Sequence, residues 1–142
     1  MRVVLDTDVL VAALRSDHGA SRQLLLAALD RRFVMLVSVP LMLEYEAVLT
    51  RAEHLAAAGV TLPDVHAILD ALAAVLEPVR LLFLWRPMLK DPGDEMVLET
   101  AINGGADRLV TFNMRHLGEA ARGLGIRAIT PGEAWREFKE GT

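Results

Sequence analysis

Four carboxylates fall within the ten residues Lys90–Glu99, KDPGDEMVLE, where an apolar, strand-like segment is followed by a helical one. Asp91 followed by proline is a good helix start, so a capping role explains this acid without any chemistry. Asp94 falls on the inward face of the same predicted helix and is therefore the better candidate for a functional carboxylate. Glu95 and Glu99 lie four residues apart, a spacing typical of a solvated stripe. The segment alone leaves both interpretations open, a helix start and a metal site.

Two further acids, Asp6 and Asp8, follow the apolar run RVVL near the start of the chain. Asp6 stands at the end of a predicted buried strand, a position where a carboxylate commonly belongs to a site. Asp8 is better placed than Asp6 to cap the next helix, VLVAAL, so we expect Asp8 to be its N-cap. Glu44 and Glu46 share a later helix but point about 200° apart, and periodicity does not choose between them.

Thr111 and Asn113 extend the polar set to the end of another strand-like run, DRLVTFN. Asparagine is also a common turn residue, and a threonine beside it could orient a neighbouring carboxylate. All these side chains offer oxygen, the sequence contains no cysteine, and its four histidines lack the HxxxH spacing of zinc sites. A hard divalent cation such as Mg²⁺ or Mn²⁺ is the metal that such a set prefers.

Strand-like and helical segments alternate along the chain. Buried strands are predicted over RVVLD, RFVMLVS, VRLLFLW, DRLVTFN and GIRAIT. The helices are SRQLLLAALD with Ser21 as N-cap, PLMLEYEAVLTR with Pro40 in its first turn, LPDVHAILDALAAVL, DPGDEMVLETAING with Gly104 and Gly105 as its stop, and PGEAWREFKE. This order predicts an α/β fold with a mainly parallel sheet covered by helices on both faces. Because ligands bind beyond the carboxyl ends of parallel strands, the polar side chains that follow four strands should meet at one edge.

Composition bounds the possible functions. The chain has 142 residues, a net charge of −4 and 53% apolar residues, which favours one folded domain over residues 1–142 and excludes the broad basic surface of a DNA-wrapping protein. Motifs of dinucleotide-binding, P-loop and α/β-hydrolase proteins do not occur in the sequence. The apolar runs are far shorter than the ~18 residues of a membrane span, and an acid comes too early for a secretory signal. We therefore expect a soluble, cytoplasmic protein.

The segments VVLDTDVLVAALRS, VPLMLEYEAVL, KDPGDEMVLETAINGGADRLVTFN and ITPGEAW occur in this order along the chain. Together they resemble the PIN-domain ribonucleases, and within them the VapC-like toxins of toxin–antitoxin pairs. The resemblance covers nearly the whole chain, and the third segment is its most specific part. It implies a three-layer α/β/α sandwich and Mg²⁺- or Mn²⁺-dependent cleavage of RNA. It also implies a homodimer and a cognate antitoxin protein as a partner.

The resemblance assigns roles to individual residues. It places the family's metal-binding and catalytic acids on Asp6, Glu44 and Asp94, and the fourth metal-binding position on Asn113. A neutral amide at the fourth position departs from the family pattern. Asp8 stands where the family commonly has asparagine, so the local acid count is partly restored. Supporting roles around these residues fall to Asp8, Asp91 and Thr111.

A locally positive rim is needed if an acidic cleft is to receive RNA. The candidates for substrate-binding side chains are Arg15, Lys90 and Arg115, and Arg22 and His116 are further members of the rim. The segment LLFLWRP and the leucines of the early helices exceed what a small monomer easily buries. This excess independently favours a homodimer.

Two other functions stay open at this point. The segment VVLDTDVL also resembles the opening of the haloacid-dehalogenase-like phosphatases, in which Asp6 would be the nucleophile and Asp8 the general acid. Those phosphatases insert a hairpin directly after this motif, whereas VLVAALRS continues here as a helix, and LEYEAVL and VTFNMRH would be left unexplained. The second alternative is a catalytically weak PIN scaffold that serves as a binding module, an option that Asn113 keeps open.

Overall fold

Five parallel strands form the centre of the molecule in a computed structural model that describes residues 1–82 and 89–140. The strands are β1 (Arg2–Leu5), β2 (Val34–Val37), β3 (Glu77–Pro78), β4 (Arg108–Val110) and β5 (Arg127–Ile129). Their order across the sheet is β3-β2-β1-β4-β5. All four pairings are parallel, so the carboxyl ends of the strands lie at the same edge of the sheet.

Helices connect the strands and cover both faces of the sheet, which confirms the predicted α/β/α sandwich. They are α1 (Thr7–Arg15), α2 (Ala20–Leu29), α3 (Val39–Leu49), α4 (Ala52–Ala58), α5 (Leu62–Val75), α6 (Pro92–Gly104), α7 (Glu119–Gly123) and α8 (Pro131–Glu140), with a π-helical turn (Met114–Gly118) before α7. Because both faces of the sheet are covered, the central strands are continuous apolar runs. In β1, for example, Val3, Val4 and Leu5 have no exposed surface.

The starts of three helices show how far capping rules apply. As predicted, Asp91 caps α6, and its carboxylate accepts a hydrogen bond from Gly93 N–H at 2.8 Å. Pro40 lies in the first turn of α3, also as predicted. At α1 the predicted cap is wrong, because the N-cap is Asp6 and not Asp8. The chain becomes helical directly after β1, and the Asp6 carboxylate accepts from Thr7 N–H at 2.8 Å.

The predicted N-cap of α2 is also wrong, by two residues. Gly19 is the N-cap, and Ser21 is buried inside the first turn of the helix. The N–H of Gly19 bonds to the Ser16 hydroxyl at 3.2 Å, a local contact that the apolar pattern of the helix does not signal.

The strand predicted over VRLLFLW is wrong in its described part. The edge strand β3 ends before this segment begins, and only Val79 N–H continues the pairing, to the Val37 carbonyl at 2.9 Å. The chain then leaves the sheet, and Leu82 N–H bonds instead to the side chain of Asn103 at 2.9 Å. Residues 80–82 of this segment therefore lie outside the strand. Residues 83–85 of the predicted strand, and most of LLFLWRP, lie outside the described residues.

The sequence patterns miss two helical elements at the carboxyl edge. Helix α4 has no buried residue, so it lacks the apolar stripe by which helices are recognised. The π-helical turn begins after Asn113, whose side chain accepts from His116 N–H at 3.3 Å.

In the described parts of the chain no single helix is long and apolar enough to cross a membrane, although α4 and α5 together, bent by 90°, meet the length and composition limits.

Candidate metal centre at the carboxyl edge of the sheet

Asp6 leaves the end of β1 as a buried carboxylate that is held in place on both oxygens. The Thr111 hydroxyl donates to its Oδ2 at 2.6 Å, and Thr7 N–H donates to its Oδ1 at 2.8 Å. The Thr111 hydroxyl in turn accepts from Asn113 N–H at 2.9 Å, so the segment after β4 orients Asp6. Burial, followed by the charge of Asp8, raises the pKa of Asp6 from 3.8 to about 7 in spite of these hydrogen bonds.

Asp8 lies in the first turn of α1, and its carboxylate interacts directly with that of Asp6. Among the described residues its Oδ1 is buried and has no hydrogen-bond partner. Burial raises the pKa of Asp8, and a proton shared between the two carboxyl groups relieves their mutual repulsion. A buried carboxylate oxygen without a donor is costly, and a bound cation is one way to offset that cost.

Asp94 approaches from the start of α6 and meets Asn113. The amide nitrogen of Asn113 donates to Asp94 Oδ2 at 3.0 Å. Burial raises the pKa of Asp94 to about 6, and the charges of Asp6 and Asp91 add to the effect while His116 opposes it. The amide oxygen of Asn113 accepts from His116 N–H, so the nitrogen and not the oxygen faces the acids.

Glu44 enters from α3, and the neighbouring residue sets the position of that helix. Tyr45 is fully buried, and its hydroxyl donates to the carbonyl oxygen of Leu5 at the end of β1. Glu44 then lies against the start of α6. A Cβ added at Gly93 would come within 3.4 Å of Glu44 Oε1 and 3.1 Å of Asp91 Oδ1, so the missing side chain permits this approach.

These side chains line one open cavity of about 340 Å³. The lining residues come from β1, α1, α3, α4, α6 and the segment after β4; they are Asp6, Thr7, Asp8, Val11, Glu44, Val48, His54, Asp91, Gly93, Asp94 and Asn113. Glu46 is exposed and does not belong to this lining. The fold thus distinguishes the two glutamates that helical periodicity leaves equivalent.

A second cavity of about 410 Å³ adjoins the first, because Asp91, Asp94 and Asn113 line both. Two rim candidates, Lys90 and His116, lie in this second cavity. Arg15 reaches the first cavity indirectly, through a contact of 2.8 Å with His54 Nδ1. Arg115 and Arg22 belong to neither lining, and Arg22 pairs with Asp17 at 3.5 Å. Sequence reasoning misses His54, because no apolar pattern or metal-ligand spacing marks the helix that carries it.

The donor set of the first cavity fits a hard divalent cation. It consists of carboxylate oxygens from four elements, includes the unpartnered oxygen of Asp8, and contains no thiolate. Within residues 1–82 and 89–140, however, no three acidic or histidine side chains stand close enough to hold one ion as they are. Burial, followed by the charges of neighbouring acids, raises the pKa of Asp6 and of Asp94, so these groups retain protons to a higher pH than ordinary carboxyl groups do. A cation would replace those protons and draw the carboxylates together.

Comparisons with known proteins bear on the family and the fold of the chain. A family model described as PIN domain matches residues 2–115, a range that contains all the acids of the cavity. In fold, the chain is similar to one from the crystal structure of VapBC2 from Rickettsia felis bound to a DNA fragment from their promoter. The TM-score is 0.61 with 15% sequence identity, and the match covers 92% of this chain and 98% of that chain. A comparison with curated proteins found no match.

Proposed function

The chain belongs to the PIN-domain family, and from this premise we propose that it is a Mg²⁺- or Mn²⁺-dependent endoribonuclease and the toxin of a toxin–antitoxin pair. PIN domains are nucleases, so the reaction class is hydrolysis of a phosphodiester bond. Residues 1–142 are proposed to form a single PIN-like domain.

The observation that carries the proposal is the convergence of Asp6, Glu44 and Asp94 on one cavity. They come from β1, α3 and α6, which are far apart in sequence, and Asp8 adds a buried oxygen without a partner. A purely structural role does not explain so many buried or half-buried carboxylates in one place, because their charges destabilise the fold when no cation is bound.

Asp6, Glu44 and Asp94 would hold the ion, with Asp8 and Asn113 beside them. When bound, the ion lowers the pKa of a water molecule and stabilises the leaving oxygen during in-line displacement. Thr111 fixes the orientation of Asp6, and the buried hydroxyl of Tyr45 fixes α3 and therefore Glu44. The raised pKa values of Asp6 and Asp94 mean that these carboxyl groups release protons as the ion binds.

Substrate and partners follow from the same proposal. The phosphodiester backbone of RNA would be received by Lys90, which lines the second cavity, and by Arg15, which contacts His54 of the first cavity. Arg115 lines neither cavity and is a more distant candidate. The fold that this chain shares with VapBC2 supports a cognate antitoxin as a protein partner. A homodimer in the cytoplasm completes the proposal.

The phosphatase alternative is weakened by one feature of the structure. Helix α1 begins at Thr7, directly after Asp6, so no hairpin separates β1 from α1 in this described region. The scaffold alternative rests on Asn113, which stands at the position where a fourth acid would complete a metal site. Its amide nitrogen donates a hydrogen bond to Asp94 instead.

One experiment separates the three functions. Wild-type protein and Asp8→Asn are incubated with end-labelled RNA and with p-nitrophenyl phosphate, each in Mn²⁺ and in EDTA. The proposed nuclease cleaves RNA only with Mn²⁺, and Asp8→Asn retains most of that activity. A phosphatase would hydrolyse p-nitrophenyl phosphate and lose this activity in Asp8→Asn. A scaffold would do neither.

A further inference from the structure

His54 is the residue of the acidic cavity that the proposed chemistry does not use. It lies on α4, a helix of seven residues that packs beside α1 and α3 and has no fully buried residue. The imidazole is half-buried and forms part of the cavity wall together with Val11 and Val48. Helix α4 therefore contributes the His54 ring to the cavity, while Leu55 and Ala58 of the same helix pack partly buried against the core.

The hydrogen bond from Arg15 decides which ring nitrogen of His54 can donate. Arg15 Nη2 lies 2.8 Å from His54 Nδ1. A guanidinium group has five N–H donors and no acceptor, so Nδ1 must offer its lone pair. The neutral ring then carries its hydrogen on Nε2. Arg15 thereby fixes both the ring orientation and the tautomer, and it places a positive charge directly behind the ring.

Apart from the hydroxyl of Thr7, the other polar side chains of the cavity are poorly suited to hold an anion. The carboxylates of Asp6, Asp8, Glu44 and Asp94 accept hydrogen bonds when ionised, and the Asn113 amide nitrogen already donates to Asp94. A phosphate oxygen needs donors and positive charge. The His54–Arg15 pair supplies both donors and positive charge in the first cavity. Lys90 and His116 supply them in the second cavity, which shares Asp94 with the first.

From this arrangement we infer that His54 is a positioning residue, which binds through Nε2–H a backbone phosphate next to the scissile one. Arg15 holds the ring and strengthens the bond by its charge. The inference rests on the proposed nuclease function and deepens it, because it assigns a contact to a phosphate of the RNA beside the one that is cleaved. Lys90, in the adjoining cavity that shares Asp94 with the first, is a second such contact. His54 does not touch the reacting atoms, so its loss should raise KM and leave kcat nearly unchanged.

The test uses a short single-stranded RNA with one cleavage site and a set of copies that each carry a single neutral methylphosphonate. Cleavage by wild-type protein in Mn²⁺ is compared with cleavage by His54→Ala, His54→Gln and Arg15→Gln. The control is Arg31→Gln, which removes one positive charge at the opposite edge of the sheet, before β2. Thermal melting of each variant reports any loss of folding.

We expect His54→Ala to raise KM by about tenfold, the usual effect of one lost hydrogen bond to a charged group. We expect His54→Gln to recover most of this loss, because its amide can donate, and Arg15→Gln to fall between the two. One methylphosphonate next to the cleavage site should impair cleavage by wild-type protein. The same substitution should cause no further loss of cleavage by His54→Ala. Arg31→Gln should behave as wild type.

Three other outcomes are distinguishable. If wild type does not cleave the unmodified RNA, the proposed nuclease function itself fails. If wild type cleaves, but every methylphosphonate affects His54→Ala and wild type equally, the positioning role of His54 is wrong and the nuclease proposal stands. A uniform loss of kcat together with a lower melting temperature would likewise contradict the inference, because it would show a structural role.

Discussion

Asp6 and Asp94 carry protons at a pH where ordinary carboxyl groups are ionised, and the cause is their burial near other acids. The pKa of Asp6 is raised from 3.8 to about 7, and that of Asp94 to about 6. The folded protein therefore binds these protons more tightly than the unfolded chain does. In EDTA, this part of the stability is fully present at low pH and is lost as the pH rises toward 7.

We predict that the free energy of unfolding in EDTA falls between about pH 5 and pH 7. Acids whose pKa is lowered by hydrogen bonds, such as Asp64 and Glu133, act in the opposite direction but at lower pH. Asp6→Asn should remove much of this dependence of the free energy of unfolding on pH. It should also raise the melting temperature near pH 7, because it removes a buried charge and keeps a good helix cap. Urea denaturation at both pH values measures the slope. Equal slopes in wild type and Asp6→Asn would contradict the account of Asp6.

Asn113 tests the fourth position of the proposed metal site. Asn113→Asp replaces an amide that donates to Asp94 with a carboxylate that repels it. We therefore predict that the variant is less stable than wild type in EDTA and binds Mn²⁺ more tightly, since the added charge offsets that of the ion. Calorimetric titration with Mn²⁺ at equal pH and salt measures the affinity. Coinciding isotherms would place Asn113 outside the metal site.

At the scale of elements, the position of α3 decides whether Glu44 can reach the acids. Tyr45 ties α3 to the end of β1 through its hydroxyl, and burial together with the charge of Asp6 raises the pKa of this phenol well above 10. The hydroxyl therefore remains a donor at any ordinary pH. Gly93 lets the start of α6 come close to Glu44 from the other side.

Tyr45→Phe should lower the free energy of unfolding by about 1–3 kcal/mol, because it leaves a buried carbonyl oxygen without this donor. It should also weaken Mn²⁺ binding, since α3 loses its fixed distance from β1. Urea denaturation and Mn²⁺ titration of the variant measure the two effects. A variant as stable as wild type would show that the hydroxyl does not hold α3 in place.

Elements with a strong apolar pattern could be predicted from the sequence, and elements held by local contacts could not. Four of the five strands fall within predicted apolar runs, and Asp91 and Gly105 bound α6 as expected. The cap of α1 was assigned to Asp8 because side-chain type alone does not reveal that the helix follows β1 without a spacer. Helix α4, which carries His54, could not be predicted because none of its seven residues is fully buried and the helix has no pronounced apolar stripe.

The candidate site shows the same division. Parallel pairing brings the residues after each strand to one edge, so the meeting of Asp6 with Thr111 and Asn113 follows from topology. Which of Glu44 and Glu46 faces the cavity depends on how α3 packs against the rest of the fold. The helical periodicity of the sequence does not contain that information. The inward turn of the Asn113 amide nitrogen also depends on a hydrogen bond from His116 in the π-helical turn, an element with no sequence signal.

At the scale of the whole molecule, exposed apolar side chains bear on assembly. Val39 and Leu43 lie one turn apart on the outer side of α3 and are 72% and 61% exposed. Such neighbouring aliphatic side chains are typical of an interface. We predict a homodimer that uses this side of α3, so light scattering at micromolar protein should give twice the chain mass.

Leu43→Glu should shift this mass toward that of a monomer, because a charge would be buried in the interface. Leu62→Glu, on the separate helix α5, is the matched control and should leave the mass unchanged. A wild-type protein of monomer mass would contradict the dimer.

The two glutamates of α3 test whether the acids that line the cavity at the carboxyl edge serve RNA cleavage with a divalent ion. Glu44 lines the cavity, whereas Glu46, two residues further on the same helix, is exposed. The measurement is the single-turnover rate of RNA cleavage in Mn²⁺ for Glu44→Gln, Glu46→Gln and Asp94→Asn. We predict that the cleavage rate falls by at least about a hundredfold in Glu44→Gln and in Asp94→Asn, which is the upper range for residues that merely support a metal ligand. Glu46→Gln should cleave RNA at the wild-type rate. Equal rates for the two glutamine variants, or wild-type cleavage by folded Asp94→Asn, would contradict the assignment of the site.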